Sequence, residues 1–259
     1  LTALPDGRVL ALGGTEQSAA AIYDPTAGAL DPTSTKPLVG RYDGASAALL
    51  SGDVLLTGDS GTVRSASAEI LSVTSARHVG TADLPTGGAQ HQATTLADGT
   101  VLLTGGTVSK SALGEPEYAL FPARFDPKSG LFESLATTTS PRWYHTATAL
   151  LDGRVLLVGS LNPFVSQGSK CVSCKTADLF DPTGALPMGV TTLKAERLGH
   201  TATLLTDGRG LVAGGTPAGS PSAFRAEIFD PATQAFVPAG PMASSRIYHP
   251  VPGDRPAAW

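Results

Sequence analysis

The stretch Arg142-Trp143-Tyr144-His145-Thr146-Ala147-Thr148-Ala149-Leu150-Leu151-Asp152-Gly153-Arg154-Val155-Leu156-Leu157-Val158-Gly159-Ser160 decides the fold. From Thr146 to Leu151 small and apolar residues alternate, as in a half-buried strand. Asp152-Gly153 is a turn pair that tolerates positive φ and closes a hairpin. Val155 to Val158 is a continuous apolar run of strand length, which suits a strand covered on both faces. The stretch therefore predicts a β-hairpin whose second strand lies deep in the molecule.

The same pattern occurs five times. The other copies are Leu1–Gly14, Ala45–Gly58, His91–Gly106 and His200–Gly215, with turn pairs Asp6-Gly7, Gly52-Asp53 (read as a reversed pair), Asp98-Gly99 and Asp207-Gly208. Turn-to-turn spacing runs from about 46 to about 55 residues, the range of propeller blades. A second marker follows each hairpin: Tyr23-Asp24-Pro25, Leu71-Ser72, Phe125-Asp126-Pro127, Phe180-Asp181-Pro182 and Phe229-Asp230-Pro231. Proline has no N–H to donate, so the Asp-Pro step ends a strand. A short strand then closes each unit, as at Gly130-Leu131-Phe132-Glu133 and Ala235-Phe236-Val237. Four strands per unit, repeated at this period, predict an all-β chain folded as a β-propeller of four-stranded blades with almost no helix. The blades are expected at about 1–40, 41–88, 89–140, 141–195 and 196–245. Residues 246–251 would supply a strand that closes blade one, making residues 1–259 one propeller domain.

The Arg-x-x-His start, the Gly-Gly doublet and the aromatic-Asp-Pro together resemble the kelch repeat across nearly the whole chain. Gly-Gly becomes Gly58-Asp59 and Gly159-Ser160 in two copies, and Phe or Leu stands where kelch units usually carry Trp, as in a divergent, bacterial-looking variety. Kelch rings usually have six or seven blades, so the resemblance leaves open a larger ring than the five blades visible. It implies that ligands bind where the loops before first strands and between second and third strands gather. On that face the expected contacts are Arg41, Tyr42, Tyr118, Arg142, Trp143, Tyr144, Arg197, Arg246 and Tyr248, residue types enriched at binding hot spots. Arg-x-x-His recurs at Arg142/His145, Arg197/His200 and Arg246/His249. Residues that recur in every unit also serve the repeat's own hydrogen bonds, whereas Trp143 and Tyr144 depart from the repeat and are better candidates for ligand contact.

The segment Arg142-Trp143-Tyr144-His145, with Asp152-Gly153-Arg154-Val155 and Gly159-Ser160-Leu161-Asn162-Pro163, is also similar to part of the galactose/glyoxal oxidase family. That resemblance implies copper ligands at Tyr144 and His145, with Tyr248 and His249 as further contributors. The family also needs a Tyr bonded to a Cys, and neither cysteine here lies beside such a motif.

Composition narrows the function classes. The net charge is −4, from 18 basic and 22 acidic residues. No basic stripe appears, which argues against nucleic acid as a partner. No apolar run is long enough to span a membrane. Charged residues make up only 15% of the 259, a composition common in secreted or cell-surface β-proteins. The chain starts inside a first strand, without a signal peptide or a starting Met, as expected of a processed or partial chain. Cys171 and Cys174 form a Cys-x-x-Cys. A metal site would need further ligands and a redox pair a helix N-terminus, so a local disulfide in an oxidising compartment is the simplest reading. Neither a nucleophile elbow nor a phosphate-binding loop occurs. The sequence thus points to a binding module for a protein or a glycan, without a cofactor, in a secreted or surface protein. The alternative is a copper-radical oxidase or an inactive relative.

Overall fold

The computed structural model describes residues 1–12, 20–32, 37–38, 41, 44–58, 66–73, 77–84, 88–110, 116–118, 122–135, 142, 145–159, 175–183, 189–216 and 225–242. Among these the regular structure is all strand. Five four-stranded antiparallel sheets, each a simple meander, are the blades of a β-propeller. Blade one is β1 (Thr2–Ala3), β2 (Val9–Leu12), β3 (Ala20–Asp24) and β4 (Ala29–Pro32). Blade two is β5 (Ala45–Ala48), β6 (Val54–Thr57), β7 (Ser67–Ser72) and β8 (Arg77–Asp83). Blade three is β9 (Gln92–Thr95), β10 (Val101–Thr104), β13 (Ala123–Asp126) and β14 (Leu131–Ser134). Blade four is β15 (Thr146–Ala149), β16 (Val155–Val158), β17 (Thr176–Phe180) and β18 (Val190–Thr192). Blade five is β19 (Leu198–Leu204), β20 (Gly210–Thr216), β21 (Arg225–Asp230) and β22 (Ala235–Pro241).

The chain gathers into two compact units, Leu1–Ala119 with Ala123–Ser134, and Leu120–Pro122 with Leu135–Trp259. In the first unit β1 lies against β5 and β5 against β9. In the second, β15 lies against β19. First strands thus meet first strands, which is why they are rich in Ala, Ser and Thr: small side chains fit where backbones approach closely. Hydroxyls bridge them, with Thr2 Oγ1 2.5 Å from Ser46 Oγ and Thr95 Oγ1 donating to the Ala48 carbonyl at 2.6 Å.

The second strands carry the core. All four residues of β6, β10 and β16 are buried. Alternate side chains point to opposite faces of a strand, and β6 serves two clusters in this way. Leu55 packs with Val101, Leu103 and Phe125, while Val54 and Leu56 pack with Leu10 and Ile22. In the second unit Leu156, Val158 and Leu179 meet Val212, Phe229 and Phe236. The aromatic that ends the third strand is fully buried at Phe125, Phe180 and Phe229. Two of these pair with the fourth strand, Phe125 with Phe132 at 4.9 Å and Phe229 with Phe236 at 5.1 Å between ring centroids. Tyr23 departs from this and is 41% exposed.

The hairpin between first and second strands has one design in all five blades. Leu4, Leu49, Leu96, Leu150 and Leu205 each donate an N–H four residues on and accept one from the turn glycine. The glycine is left-handed each time (φ +85° to +89°). This is a three-residue loop with a bulge, which needs positive φ at that residue. Asp6, Asp98, Asp152 and Asp207 accept the N–H two residues ahead. Blade two corrects the sequence reading. Its turn is not reversed, because Gly52 holds the usual glycine position and Ser51 stands for the Asp, accepting the Asp53 N–H. The Asp of the Asp-Pro step acts likewise at the next turn, where Asp24, Asp126, Asp181 and Asp230 accept the N–H two residues on.

One element was not foreseen. The long connection between β10 and β13 contains a hairpin of its own, β11 (Thr107–Lys110) paired with β12 (Pro116–Tyr118). Its strands are short and polar and carry neither repeat marker, so periodicity gave no signal for them.

Candidate functional site

The loop face begins with the residue that opens each Arg-bearing blade. Arg41, Arg142 and Arg197 each sit 17 residues before a glycine at the far end of the second strand, and each donates through Nη1 to that glycine's carbonyl: Gly58, Gly159 and Gly214. Nη1 also donates to a third-strand carbonyl, Ser67, Thr176 or Arg225. Nε and Nη2 of Arg41 and of Arg197 reach an acid on the same strand, whereas in Arg142 Nε reaches the acid and Nη2 donates to Thr176 Oγ1. Arg41 meets Glu69 at 3.2 Å, Arg142 meets Asp178 at 3.0 Å, and Arg197 meets Glu227 at 3.0 Å. Arg142 and Arg197 are each 1% exposed. A buried guanidinium is tolerable only when it is paired and its N–H groups are occupied, and here they are. The three arginines expected to face a ligand are therefore committed inside their own blades: each ties the second strand, the third strand and the blade's leading loop together.

The glutamates reach further. The second oxygen of Glu69 accepts the Leu38 N–H at 2.8 Å, and that of Glu227 accepts the Lys194 N–H at 2.7 Å. These acceptors fix the chain that leads into the blade. Sequence reasoning missed the acids. A signal existed, since Glu69, Asp178 and Glu227 each stand two residues before the third strand's terminal Leu71, Phe180 or Phe229. Blade three lacks both partners, with Gly88 at the Arg position and Ala123 at the acid position, so neither half of the pair is left buried alone.

The histidines join neighbouring blades. His91 Nε2 lies 2.7 Å from Thr57 Oγ1 of blade two, and His200 Nε2 lies 3.0 Å from Thr146 Oγ1 of blade four. Burial, and then the charge of Arg41, lowers the His91 pKa to about 4. Burial, and then Arg197, does the same to His200, also to about 4. Both rings are thus neutral at pH 7. Each packs against the glycine that receives the neighbouring arginine. A Cβ on Gly58 would come within 2.7 Å of the His91 ring, and one on Gly159 within 2.7 Å of the His200 ring. One glycine therefore serves both the lock within a blade and the seam between two blades, and neither leaves room for a side chain.

His145 occupies the same position in blade four and is also buried. Tyr118 ends β12, opposite Thr107. Tyr42, Trp143, Tyr144, Arg246, Tyr248, His249, Cys171 and Cys174 lie outside the described residues. Among the described residues no three His, Cys, Asp or Glu side chains are grouped to hold a metal ion, and no helix is long and apolar enough to cross a membrane.

No family model matches this chain, and no curated protein sequence does. Among solved structures it resembles a fungal alcohol oxidase with catalytic diversity among the AA5 family, in complex with copper, with a TM-score of 0.60 and 14% identity. The match covers 94% of this chain and 65% of that one, so this chain spans less than two thirds of its neighbour. At that identity the likeness is one of fold.

Proposed function

We propose that this chain is a kelch-type propeller working as a non-catalytic binding module of a secreted or surface-exposed protein, with a protein or a glycan held on the loop face. One observation carries the reading. The polar residues that recur from blade to blade, which would be the natural raw material of a catalytic centre, are consumed by the scaffold. Arg41, Arg142 and Arg197 bond within their blades, and His91 and His200 bond across blade seams. Recognition then falls to residues that differ between repeats, with Trp143 and Tyr144 foremost. A Cys171–Cys174 disulfide would hold the loop that follows β16 and would fit an oxidising compartment.

The test uses purified protein on immobilised panels of oligosaccharides and of extracellular proteins, before and after treatment with a chelator. Retention should survive the chelator and should fall at least about tenfold in Trp143→Ala, the scale of one lost hot-spot side chain. The copper-oxidase alternative rests on the Tyr144-His145 pair and the fold likeness. Stoichiometric copper, with peroxide release from a primary alcohol that Tyr144→Phe abolishes, would establish that alternative and overturn the binding-module reading.

A further inference from the structure

Charge is unevenly placed along this chain. Acidic residues are in excess overall, yet in the second unit basic residues outnumber acidic ones. Within that unit the two ends of the strands also differ. Asp152, Asp181, Asp207 and Asp230 stand at the hairpin turns of one end, and Asp178 and Glu227 are paired with Arg142 and Arg197. At the loop end, where second strands finish and third strands begin, Lys175, Lys194 and Arg225 are exposed and make no ion pair among the described residues. Arg225 departs here from the unit's other described arginines, since Arg142, Arg154, Arg197 and Arg209 each meet an acid.

The three cations share one corner. Leu193 donates its N–H to the Lys175 carbonyl at 2.7 Å, so Lys175 and Lys194 leave adjacent strands of blade four side by side. Lys194 donates its own N–H to Glu227 at 2.7 Å. Arg225 lies two residues before Glu227 on β21, and residues two apart point to the same face of a strand. The one acid left unpaired at this end among the described residues is Glu196. The aspartates of the turns do not compensate. Strands of four to seven residues separate the two ends, which is roughly 13–23 Å, beyond the Debye length of about 8 Å at physiological salt. The connections from β16 to β17 and from β20 to β21 add Lys170 and no acid in residues 160–174 and 217–224. Apolar anchors are missing from the same corner. The large hydrophobic side chains that this unit exposes among the described residues are Leu151, in a turn at the opposite end, and Val237, within β22. A protein partner would need an apolar core to its interface. Exposed cations without one suit a hydrated chain of anions, each taking charge-assisted hydrogen bonds from a lysine or from the arginine fork.

We infer that Lys175, Lys194 and Arg225 form a subsite for the anionic groups, carboxylate or sulfate, of an acidic oligosaccharide. The inference rests on the binding-module reading and narrows its ligand to one class.

The experiment measures retention on immobilised polygalacturonate, chondroitin sulfate, dextran and single-stranded DNA, with thermal midpoints. It compares the wild type with Lys175→Gln, Lys194→Gln, Arg225→Gln, their triple combination, Trp143→Ala and Lys128→Gln. Lys128 is an exposed cation at a turn of blade three, so its variant changes the net charge equally without touching the corner. Each single variant at the corner should weaken retention on one of the two acidic glycans about two- to fivefold, and the triple variant at least about tenfold. Lys128→Gln should bind as the wild type does. Midpoints should stay within about 2 °C of the wild type, because these side chains are exposed. Whichever acidic surface responds separates carboxylate from sulfate as the group recognised. A triple variant that binds normally, while Trp143→Ala loses retention, overturns the subsite and spares the binding module. A wild type held only by dextran, a Lys128→Gln loss as large as those at the corner, or stronger retention on DNA than on either acidic glycan also overturns the subsite. A wild type held by none of these surfaces, nor by extracellular proteins, overturns the binding-module reading itself.

Discussion

Replacing Arg197 by Met removes the guanidinium from the most completely described blade lock and keeps most of its apolar volume. Glu227, 2% exposed, would lose two charge-assisted bonds and keep only the N–H groups of Lys194 and Ala195. The carbonyl of Gly214 would lose its 2.7 Å donor, and that of Arg225 its 2.6 Å donor. Breaking one side of a buried pair typically costs about 3–5 kcal/mol. For a chain of this size that is a fall in thermal midpoint of roughly 6–20 °C, at about 2–4 °C per kcal/mol. Burial of an ion pair is not itself stabilising, and apolar replacement of both partners is often neutral. The lock differs because its members also satisfy backbone groups. In Arg197→Met/Glu227→Leu the Gly214 carbonyl stays buried without its donor, a cost of about 1–3 kcal/mol. The double variant should therefore recover only part of the loss. Urea denaturation followed by far-UV circular dichroism supplies the three values of the cycle. A single-variant loss below about 1 kcal/mol, or a double variant as stable as the wild type, would refute the claim that the lock holds the strands through their backbones.

The seam histidines make stability fall with acid. His91 and His200 are neutral in the fold, with pKa values of about 4, and take up a proton near 6.5 when unfolded. Stability should be level above pH 7 and drop as pH falls from about 6.5 through 4, by on the order of 3 kcal/mol for each ring. Denaturation at pH 7.5 and 4.5 checks this, and His91→Gln with His200→Gln should flatten the slope. Gly159→Ala combines a left-handed φ of +73° with a 2.7 Å approach to the His200 ring. It should cost about 2 kcal/mol or more, and adding His200→Ala should relieve the clash but not the backbone strain. Leu55→Ala, at a fully buried second-strand position, should lose about 2–5 kcal/mol. Leu131→Ala, 68% exposed on an outer strand, should stay within about 0.5 kcal/mol of the wild type.

The local grammar of the blade was legible in the residues alone. Val54 to Leu56, Val101 to Leu103 and Val155 to Val158 announce strands buried on both faces, because only such a strand can afford no polar side. Asp-Gly and Asp-Pro mark the turns, because their backbone and hydrogen-bonding requirements are local. The meander of four strands, five times over, follows from those signals. What an arginine or a histidine does is not local. Arg142 and Arg197 look like surface contacts in a linear reading, since nothing nearby in sequence neutralises them. Their acids stand 36 and 30 residues away, and pairing depends on strand register, which brings Asp178 opposite Leu157 and Glu227 opposite Val212. The same holds for the glycines that close the second strands. Sequence marks them as permissive, and only tertiary packing shows that a neighbouring blade's histidine fills the space a Cβ would take.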